Sequence, residues 1–252
     1  MRVPPRDRFH AVAGDYARFR PGYPDAVVDR ILEVAGLRPP RPEAVVLDLG
    51  CGTGISSRAF AARGLRVIGV DPNSSMLAEA RARGGGPEYR EGEAEGTGLP
   101  AGCADLVVAA QCFHWVDRDR SVAEIRRVLR PGGWAAVFWN LRREGTPFND
   151  AYEAVLGRFC TASGERVRDE DAVRRLRECP GIRDRVDLRL EWDDPLDRES
   201  FRGRVRSASY VAHGVEDREG FEREVDRVFE AHARGGRVEW ALVVEGSCFR
   251  VA

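Results

Sequence analysis

The hydrophobic pattern of the chain changes character near residue 140. Up to that point, short apolar runs rich in β-branched residues alternate with segments in which apolar residues recur every three or four positions. This alternation predicts an α/β fold with a parallel sheet covered by helices on both faces. The predicted strands are 45–49, 65–71, 87–90, 105–110 and 134–139, and the predicted helices are 25–35, 55–62, 74–83 and 121–129.

Beyond residue 140 the pattern is mostly helical. Two stretches, 186–192 and 238–244, alternate apolar with polar residues, as expected of half-exposed strands. We predict that residues 1–140 form the sheet core with an N-terminal lid segment. Residues 141–252 are expected to form a helical cap over the strand ends and the last two strands, the final one antiparallel at the sheet edge. The predicted cap helices are 148–159, 171–179, 199–211 and a segment around 221–229.

Three glycines at a spacing of two follow the first predicted strand, namely Gly50, Gly52 and Gly54. They favour a sharp turn that a ligand can approach closely. The next strand ends in Asp71, whose carboxylate could accept hydrogen bonds from both hydroxyls of a ribose. A pyrophosphate fits less well, because Ile55 occupies the third glycine position of a dinucleotide fingerprint. A purely structural strand-to-helix turn is the alternative.

Composition narrows the classes of function. The chain has 252 residues, 43% of them hydrophobic, and a net charge of −1, so it can bury a core and indicates no nucleic-acid partner. All 40 basic residues are arginine, which excludes a P-loop lysine, a Schiff base and a pyridoxal-phosphate anchor. The six cysteines form no C-x-x-C pair, and no apolar run or N-terminal leader indicates a membrane span or export. We therefore expect a cytoplasmic protein without a metal.

One sequence motif narrows the possible function to a single protein family. The run Asp48-Leu49-Gly50-Cys51-Gly52-Thr53-Gly54 resembles motif I of the class I S-adenosylmethionine-dependent methyltransferases, and Asp71 matches the acid that ends their second strand. The resemblance implies a doubly wound, Rossmann-like, seven-stranded sheet with an antiparallel last strand and a helical cap after strand 5. It also implies S-adenosylmethionine as cofactor, with the glycine loop beside its methionyl part and Asp71 on its ribose.

An N-terminal stretch extends the resemblance. Apolar residues between Phe9 and Phe19 recur near helical spacing, and the segment Arg18–Pro24 follows. This stretch is similar to one found in the type 11 and trans-aconitate methyltransferase-like subgroup, where it lies over the cofactor. The similarity implies that Tyr16 and Arg20 contact the cofactor, with Arg20 as the partner of its carboxylate. The alternative is that Arg20 pairs with a surface acid while the tyrosines pack.

The resemblance also implies which residues contact the adenine of the cofactor. Pro72 matches the residue that packs on the adenine, with Met76 one helical turn further on. Glu93 and Ala94 match an Asp-Ala pair that reaches the adenine edge, although Glu93 is one methylene longer than the usual aspartate. Met76 could instead be a core residue, and Glu93 could lie in a solvated loop.

The fourth predicted strand delivers Gln111, His114 and Trp115 at its carboxyl end, where open α/β sheets bind ligands. Gln111 is predicted to contact the cofactor, and His114 and Trp115 the substrate. His114 could also accept a proton from the acceptor, because its ordinary pKa lies near neutrality. A structural histidine is the alternative. In the cap, Tyr210 and His213 are further candidate substrate contacts.

We therefore predict an in-line methyl transfer to an oxygen, nitrogen or carbon nucleophile of a small molecule. Two other functions stay open at this point. The first is a regulatory protein that binds S-adenosylmethionine without transferring its methyl group. The second is a nicotinamide-dependent oxidoreductase, which Ile55 disfavours.

Overall fold

Seven strands form one sheet in the computed structural model, which describes residues 13–38, 41, 43–160, 178–179 and 181–251. The strands are β1 (Val45–Leu49), β2 (Arg66–Asp71), β3 (Glu88–Glu91), β4 (Ala104–Ala110), β5 (Leu129–Arg142), β6 (Ile182–Asp197) and β7 (Arg237–Val251). Their order across the sheet is β3-β2-β1-β4-β5-β7-β6. The sheet is mixed: β1 to β5 run parallel, and β7 runs antiparallel to both of its neighbours.

Helices cover the sheet and its carboxyl end. They are α1 (Ala13–Phe19), α2 (Asp25–Val34), α3 (Ile55–Ala61), α4 (Ser74–Arg83), α5 (Arg118–Val128), α6 (Pro147–Phe159), α7 (Arg198–Arg206), α8 (Ser209–Gly214) and α9 (Arg218–His232). The predicted α/β class, the seven strands and the antiparallel last strand are confirmed. Among the described residues, no helix combines the length and apolar character that a membrane span requires.

The centre of the parallel part lies at β1, where the site is built. Every residue of β1 is buried, because β2 and β4 flank it and helices cover both faces. Leu49 pairs with Val70 on one side and with Ala109 on the other. The three strands therefore end at the same level, and the residues that follow them meet in one crevice.

The final strand was predicted at the edge of the sheet, and this was wrong. β7 lies between β5 and β6, and β6 forms the edge. The reason is visible in the burial of the two strands. In β7 nearly every residue from Val238 to Phe249 is buried, whereas most residues of β6 keep some exposure. A strand with one solvent-exposed face occupies the edge of a sheet more easily than a strand buried on both faces.

Three apolar clusters hold the layers together. One packs α5 on a face of the sheet, through residues such as Ile125, and a second packs α2 and α3 on the other face. The third lies under α6, α7 and α9, where Phe201 and Phe229 meet Trp240 of β7. The cap and the sheet therefore share a core along the first half of β7.

Two helix boundaries differ from prediction. The predicted helix start at Ser121 is wrong: α5 begins three residues earlier, capped by Asp117, and Ser121 lies buried inside the helix. Glu124, in the same helix, accepts hydrogen bonds from the backbone and hydroxyl of Thr97. The predicted helix 199–211 is two helices, because the chain leaves helical geometry at Ala208.

Two predicted helical stretches fall partly outside the described residues. Phe9 and most of the predicted helix 171–179 lie there, and the two described residues at its end, Glu178 and Cys179, are not helical.

Candidate functional site

The glycine loop between β1 and α3 leaves no room for side chains. Gly50, Gly52 and Gly54 all have positive φ angles, of 61°, 54° and 75°. A Cβ on Gly50 would lie 2.6 Å from the Cβ of Cys112, and one on Gly52 would lie 3.2 Å from the Cε of Met76. Only glycine combines this backbone with such close packing. The loop is largely buried, and Gly50, Cys51 and Gly52 line the cavity in front of it.

Asp71 ends β2 directly beside this loop. Its Oδ2 accepts a hydrogen bond from the Gly52 backbone N–H, and its Oδ1 accepts one from the Asn73 N–H, both at 2.8 Å. Burial raises the pKa of this carboxyl group. A carboxylate has about four acceptor positions, so roughly two stay available after these two bonds. That capacity suits the two hydroxyls of a ribose.

Asp48 was predicted to bind the cofactor, but the structure places its carboxylate beneath the loop. The side chain is fully buried, and its Oδ2 accepts hydrogen bonds from the hydroxyls of Ser56 and Ser57 at 2.7 and 2.6 Å. Burial, aided by the charge of Asp71, raises the pKa of Asp48 to about 6. Asp48 therefore fixes the start of α3 against the loop and does not reach the cavity.

A cavity opens in front of the glycine loop and extends under the cap. It is bounded by the end of β4, the extension of β5, the first half of β7, the N-terminal lid segment and the cap helices α6 to α8. Seven of the predicted site residues line it: Tyr16, Arg20, Gly50, Cys51, Gly52, Gln111 and Tyr210. No sequence signal had pointed to Asn140, Arg142, Tyr152, Arg204 or Trp240, which also line it.

Arg20 lies in the wall of this cavity. Its guanidinium carbon stands 4.9 Å from the ring centre of Tyr16, and its Nη2 donates a hydrogen bond to the Ser207 carbonyl at 3.3 Å. Its Nε is buried and has no hydrogen-bond partner. Over the described part of the chain, no carboxylate pairs with Arg20, so the alternative pairing with a surface acid is not found there. An N–H group of a cation is thus left for a ligand.

Gln111 has an unusual backbone at the end of β4. Its φ angle is +61°, which is uncommon for a residue with a Cβ. The conformation is held by two bonds: the Gln111 N–H donates to the Phe138 carbonyl, and Nε2 donates to the Asn140 carbonyl, both at 3.0 Å. Strain of this kind clusters at ligand sites. It is an independent sign that the end of β4 belongs to the site.

The residues predicted to surround the adenine do not line this cavity. Pro72 and Glu93 are exposed, while Ala94 is buried in the core. Met76 is buried against Gly52. These four residues follow the ends of β2 and β3. Their role toward an adenine stays a prediction.

The structure counts against His114 as a base. Its Nδ1 accepts a hydrogen bond from the indole N–H of Trp139 at 3.1 Å, so the neutral ring carries its proton on Nε2. Burial lowers the pKa of His114 to about 4. His114 and Trp115 stack at 4.8 Å, and neither lines the cavity. Both predicted substrate contacts are therefore absent from the cavity wall.

His213 is also separated from the main cavity. It lines a second cavity between α7, α8 and α9, whereas Tyr210, on the same short helix, faces the first. Residues three positions apart on a helix normally share a face, but α8 is only about one and a half turns long. The predicted pair is thus split between two cavities.

Two arginines in the cavity wall were not predicted from the sequence. Each is held in place by an acidic side chain and by one further oxygen. Arg142 Nε donates to Glu153, and its Nη1 donates to the Tyr210 hydroxyl at 3.0 Å. Arg204 Nε donates to the Phe19 carbonyl at 3.0 Å, and its Nη2 to Asp194 at 2.7 Å. Arg142 follows the predicted strand 134–139 by three residues, and this position near a strand end could have indicated it. Nothing in the local pattern distinguishes Arg204 from the other arginines.

No metal centre is evident in the part of the chain that the structure describes, since it holds no group of three or more His, Cys, Asp or Glu side chains arranged for an ion.

Comparison with known proteins places this chain in a family. A family model described as a methyltransferase domain matches residues 47–137. The solved structure of a putative type II methyltransferase from Anaeromyxobacter dehalogenans is 30% identical, with a TM-score of 0.71 over 92% of this chain and 97% of that one.

Two curated relatives match a shorter part. An uncharacterized methyltransferase of Mycobacterium tuberculosis is 38% identical over 161 residues, and the malonyl-[acyl-carrier protein] O-methyltransferase of Enterobacter lignolyticus is 33% identical over 165 residues. These matches cover 64% and 61% of this chain. The chain spans 62% of the length of each of these two relatives.

Proposed function

The chain belongs to the methyltransferase family, and from this premise we propose that it transfers the methyl group of S-adenosylmethionine to a small-molecule acceptor. The observation that carries the proposal is the pairing of the glycine loop with Asp71. The loop offers bare backbone at the crevice, and Asp71 is fixed beside it by the Gly52 N–H at 2.8 Å. This pairing supports a nucleoside with its ribose on the carboxylate.

The groups around the loop fit the parts of this cofactor. Asp71 keeps acceptor positions for a diol, and the buried Nε of Arg20 has no partner, as a group awaiting a carboxylate would. The loop cannot carry a Cβ at Gly50 without a 2.6 Å contact. We expect the methionyl part to lie along the loop between Asp71 and Arg20.

When bound, S-adenosylmethionine supplies a methyl group that its sulfonium already activates. The protein then has to orient the acceptor and exclude water. The lid segment would serve the second task, because Asn140 Nδ2 holds the Gly22 carbonyl at 3.0 Å and Tyr23 packs edge-on against Phe138. Oxygen, nitrogen and carbon nucleophiles are all compatible with the proposal at this level, and a cytoplasmic site of action stays a prediction.

Calorimetric titration tests the proposal directly. We expect micromolar binding of S-adenosylmethionine and of its demethylated product, and no binding of NAD. The Asp71→Ala variant should bind both at least about tenfold more weakly, because it loses the ribose acceptor and the partner of the Gly52 N–H. Asp119→Ala, which removes an exposed carboxylate at the start of α5, serves as the control and should bind normally.

The other outcomes separate the two remaining functions. Absence of binding of both ligands to the unaltered protein would overturn the proposal. Binding of NAD would indicate the oxidoreductase, and tight S-adenosylmethionine binding without transfer to any acceptor would indicate the regulatory protein.

A further inference from the structure

Three buried hydrogen-bond donors in the wall of the main cavity have no partner. They are the hydroxyl of Tyr152, Nη1 of Arg204 and the indole N–H of Trp240. The three side chains are only 1%, 8% and 4% exposed. A buried polar group without a partner is unfavourable, and native proteins seldom tolerate several together without a reason. A bound ligand that supplies acceptors would remove this cost.

The donors form one continuous patch together with Arg142. The guanidinium carbon of Arg204 lies 5.3 Å from the ring centre of Trp240, and the rings of Trp240 and Tyr152 are 5.4 Å apart. The guanidinium carbon of Arg142 lies 5.6 Å from the ring centre of Tyr152. We call these four residues, Arg142, Tyr152, Arg204 and Trp240, the donor patch.

The donor patch borders the place proposed for the cofactor at Arg20, because Arg204 binds the carbonyl of the neighbouring Phe19, and it extends from there along β5. Ala110, at the level of the glycine loop, pairs with Phe138 of β5. Arg142 is four residues further along the same strand and pairs with Leu242 of β7. At a rise of about 3.3 Å per residue, the backbone of Arg142 lies roughly 13 Å beyond the loop, under the cap. This is the position expected of the acceptor substrate.

The cavity wall also lacks a base. Among its described residues there is no aspartate, glutamate or histidine. The acids nearest to the patch, Glu153 and Asp194, already bind Arg142 and Arg204 and do not line the cavity. Two guanidinium groups beside unpartnered donors disfavour a cationic amine. They favour an oxygen-rich anion that needs no deprotonation before it reacts.

We propose that the donor patch binds the carboxylate of the acceptor and that an oxygen of this carboxylate receives the methyl group. The inference rests on the proposed function. In the step, a carboxylate lone pair forms the O–CH₃ bond while the S–CH₃ bond breaks, and sulfur keeps the bonding electrons as a thioether. The products are a methyl ester and S-adenosylhomocysteine. No proton is released, which accords with a cavity wall that holds no base.

An acceptor screen tests the chemistry. The unaltered protein, with tritiated S-adenosylmethionine, is given malonate, succinate, hexanoate and benzoate, the four matching amides, and small amines and alcohols. We expect transfer to at least one acid and to none of its neutral counterparts, with the label released as methanol in alkali, as for a methyl ester. Transfer only to amines or alcohols, label stable to alkali, or no transfer to any acid would overturn the inference.

A single hydroxyl tests the patch itself. Tyr152→Phe removes one unpartnered donor and keeps the ring, so we expect the KM for the acid to rise about tenfold. The melting temperature should change little, because the substitution keeps the buried ring and removes only the hydroxyl. The matched control is Ser121→Ala, which removes another buried, unpartnered hydroxyl, in α5 and outside the cavity, and should leave KM unchanged.

The affinity for the cofactor distinguishes a failure of this inference from a failure of the proposed function. The Kd of S-adenosylmethionine should be the same in Tyr152→Phe as in the unaltered protein. A weakened Kd with an unchanged KM for the acid would assign the patch to the cofactor and overturn the inference. If the unaltered protein binds no S-adenosylmethionine, the proposed function itself fails.

Discussion

At the scale of single residues, two aspartates near the glycine loop show how environment divides roles. Asp48 and Asp71 are both buried, and burial raises the pKa of each. Asp48 accepts hydrogen bonds from two serine hydroxyls, whereas Asp71 accepts from two backbone N–H groups, one of them that of Gly52, which lines the cavity. The sequence identified both residues, but only the contacts show that one supports the loop and the other can bind a ligand.

The half-buried, neutral His114 predicts a dependence of stability on pH. Its pKa of about 4 lies below the ordinary value of about 6.5, so the unfolded chain takes up a proton first as the pH falls. Stability from this group is therefore complete above pH 6.5 and is lost toward pH 4. At pH 5 the loss should be about 2 kcal/mol.

Urea unfolding of the unaltered protein and of His114→Gln, at pH 7 and pH 5, measures this effect. The difference between their free energies of unfolding should shrink by about 2 kcal/mol at the lower pH. Comparing the two proteins cancels the opposite contribution of Asp48, whose raised pKa lowers stability as the pH rises toward 6. A difference that does not change with pH would show that His114 is not buried in its neutral form.

At the scale of elements, the lid segment is attached to the cap as well as to the sheet. Phe19 packs directly on Gly203 of α7, and the Phe19 carbonyl accepts from Arg204 Nε at 3.0 Å. Arg18 and Glu199 form an exposed ion pair across the same contact. Arg20 and Arg204 are thus positioned by one shared contact between α1 and α7. The cofactor side and the acceptor side of the cavity should therefore depend on each other.

Gly203→Ala tests this dependence. A Cβ at this position would lie 2.3 Å from the ring of Phe19, so the lid segment has to shift. Overpacking of this kind costs about 1–3 kcal/mol. We expect weaker binding of S-adenosylhomocysteine by calorimetry and a higher KM for the acceptor, while the sheet stays folded by circular dichroism.

The matched control is Gly157→Ala in α6, where an added Cβ meets nothing within 4 Å. That change should raise stability by about 0.5–1 kcal/mol and leave binding unaltered. Equal behaviour of the two variants in binding would show that the contact between α1 and α7 does not support the site.

At the scale of the whole molecule, the strand that comes last in the chain completes the core. β5 pairs with β7 from Ala135 to Arg142, and β7 pairs with β6 along nearly its full length. Both β5 and β7 are buried in their central parts. The predicted division at residue 140 is therefore a division of the sequence, and we do not expect it to separate two units that fold independently.

A chain that ends at residue 142 tests this expectation. It would expose the β5 edge and the apolar faces that β7 covers, so we predict no cooperative thermal transition and a tendency to aggregate. Circular dichroism melts and size-exclusion chromatography beside the full chain measure both effects. A sharp, reversible transition of the shortened chain would contradict the prediction and make residues 1–142 a folding unit of their own.

The sequence by itself determined the parallel half of the fold. The strands at 45–49 and 105–110 and the glycine loop were predictable, because β-branched runs and glycine spacing act over a few neighbouring residues. The same holds for Asp71, Arg20 and Gln111, which stand at strand ends or in a recognisable motif. The local sequence pattern was sufficient to predict a feature wherever neighbouring residues determine that feature.

Tertiary structure decided the rest. The position of β7 inside the sheet depends on what covers its second face, which lies far away in the chain. The donor patch joins residues 142, 152, 204 and 240, whose spacing follows no period and which meet only through the pairing of β5 with β7 and the packing of α6 and α7. The hydrogen bond from the Trp139 indole to Nδ1 of His114 likewise joins residues that no local pattern links. Contacts between distant segments, which no local pattern encodes, settled these points.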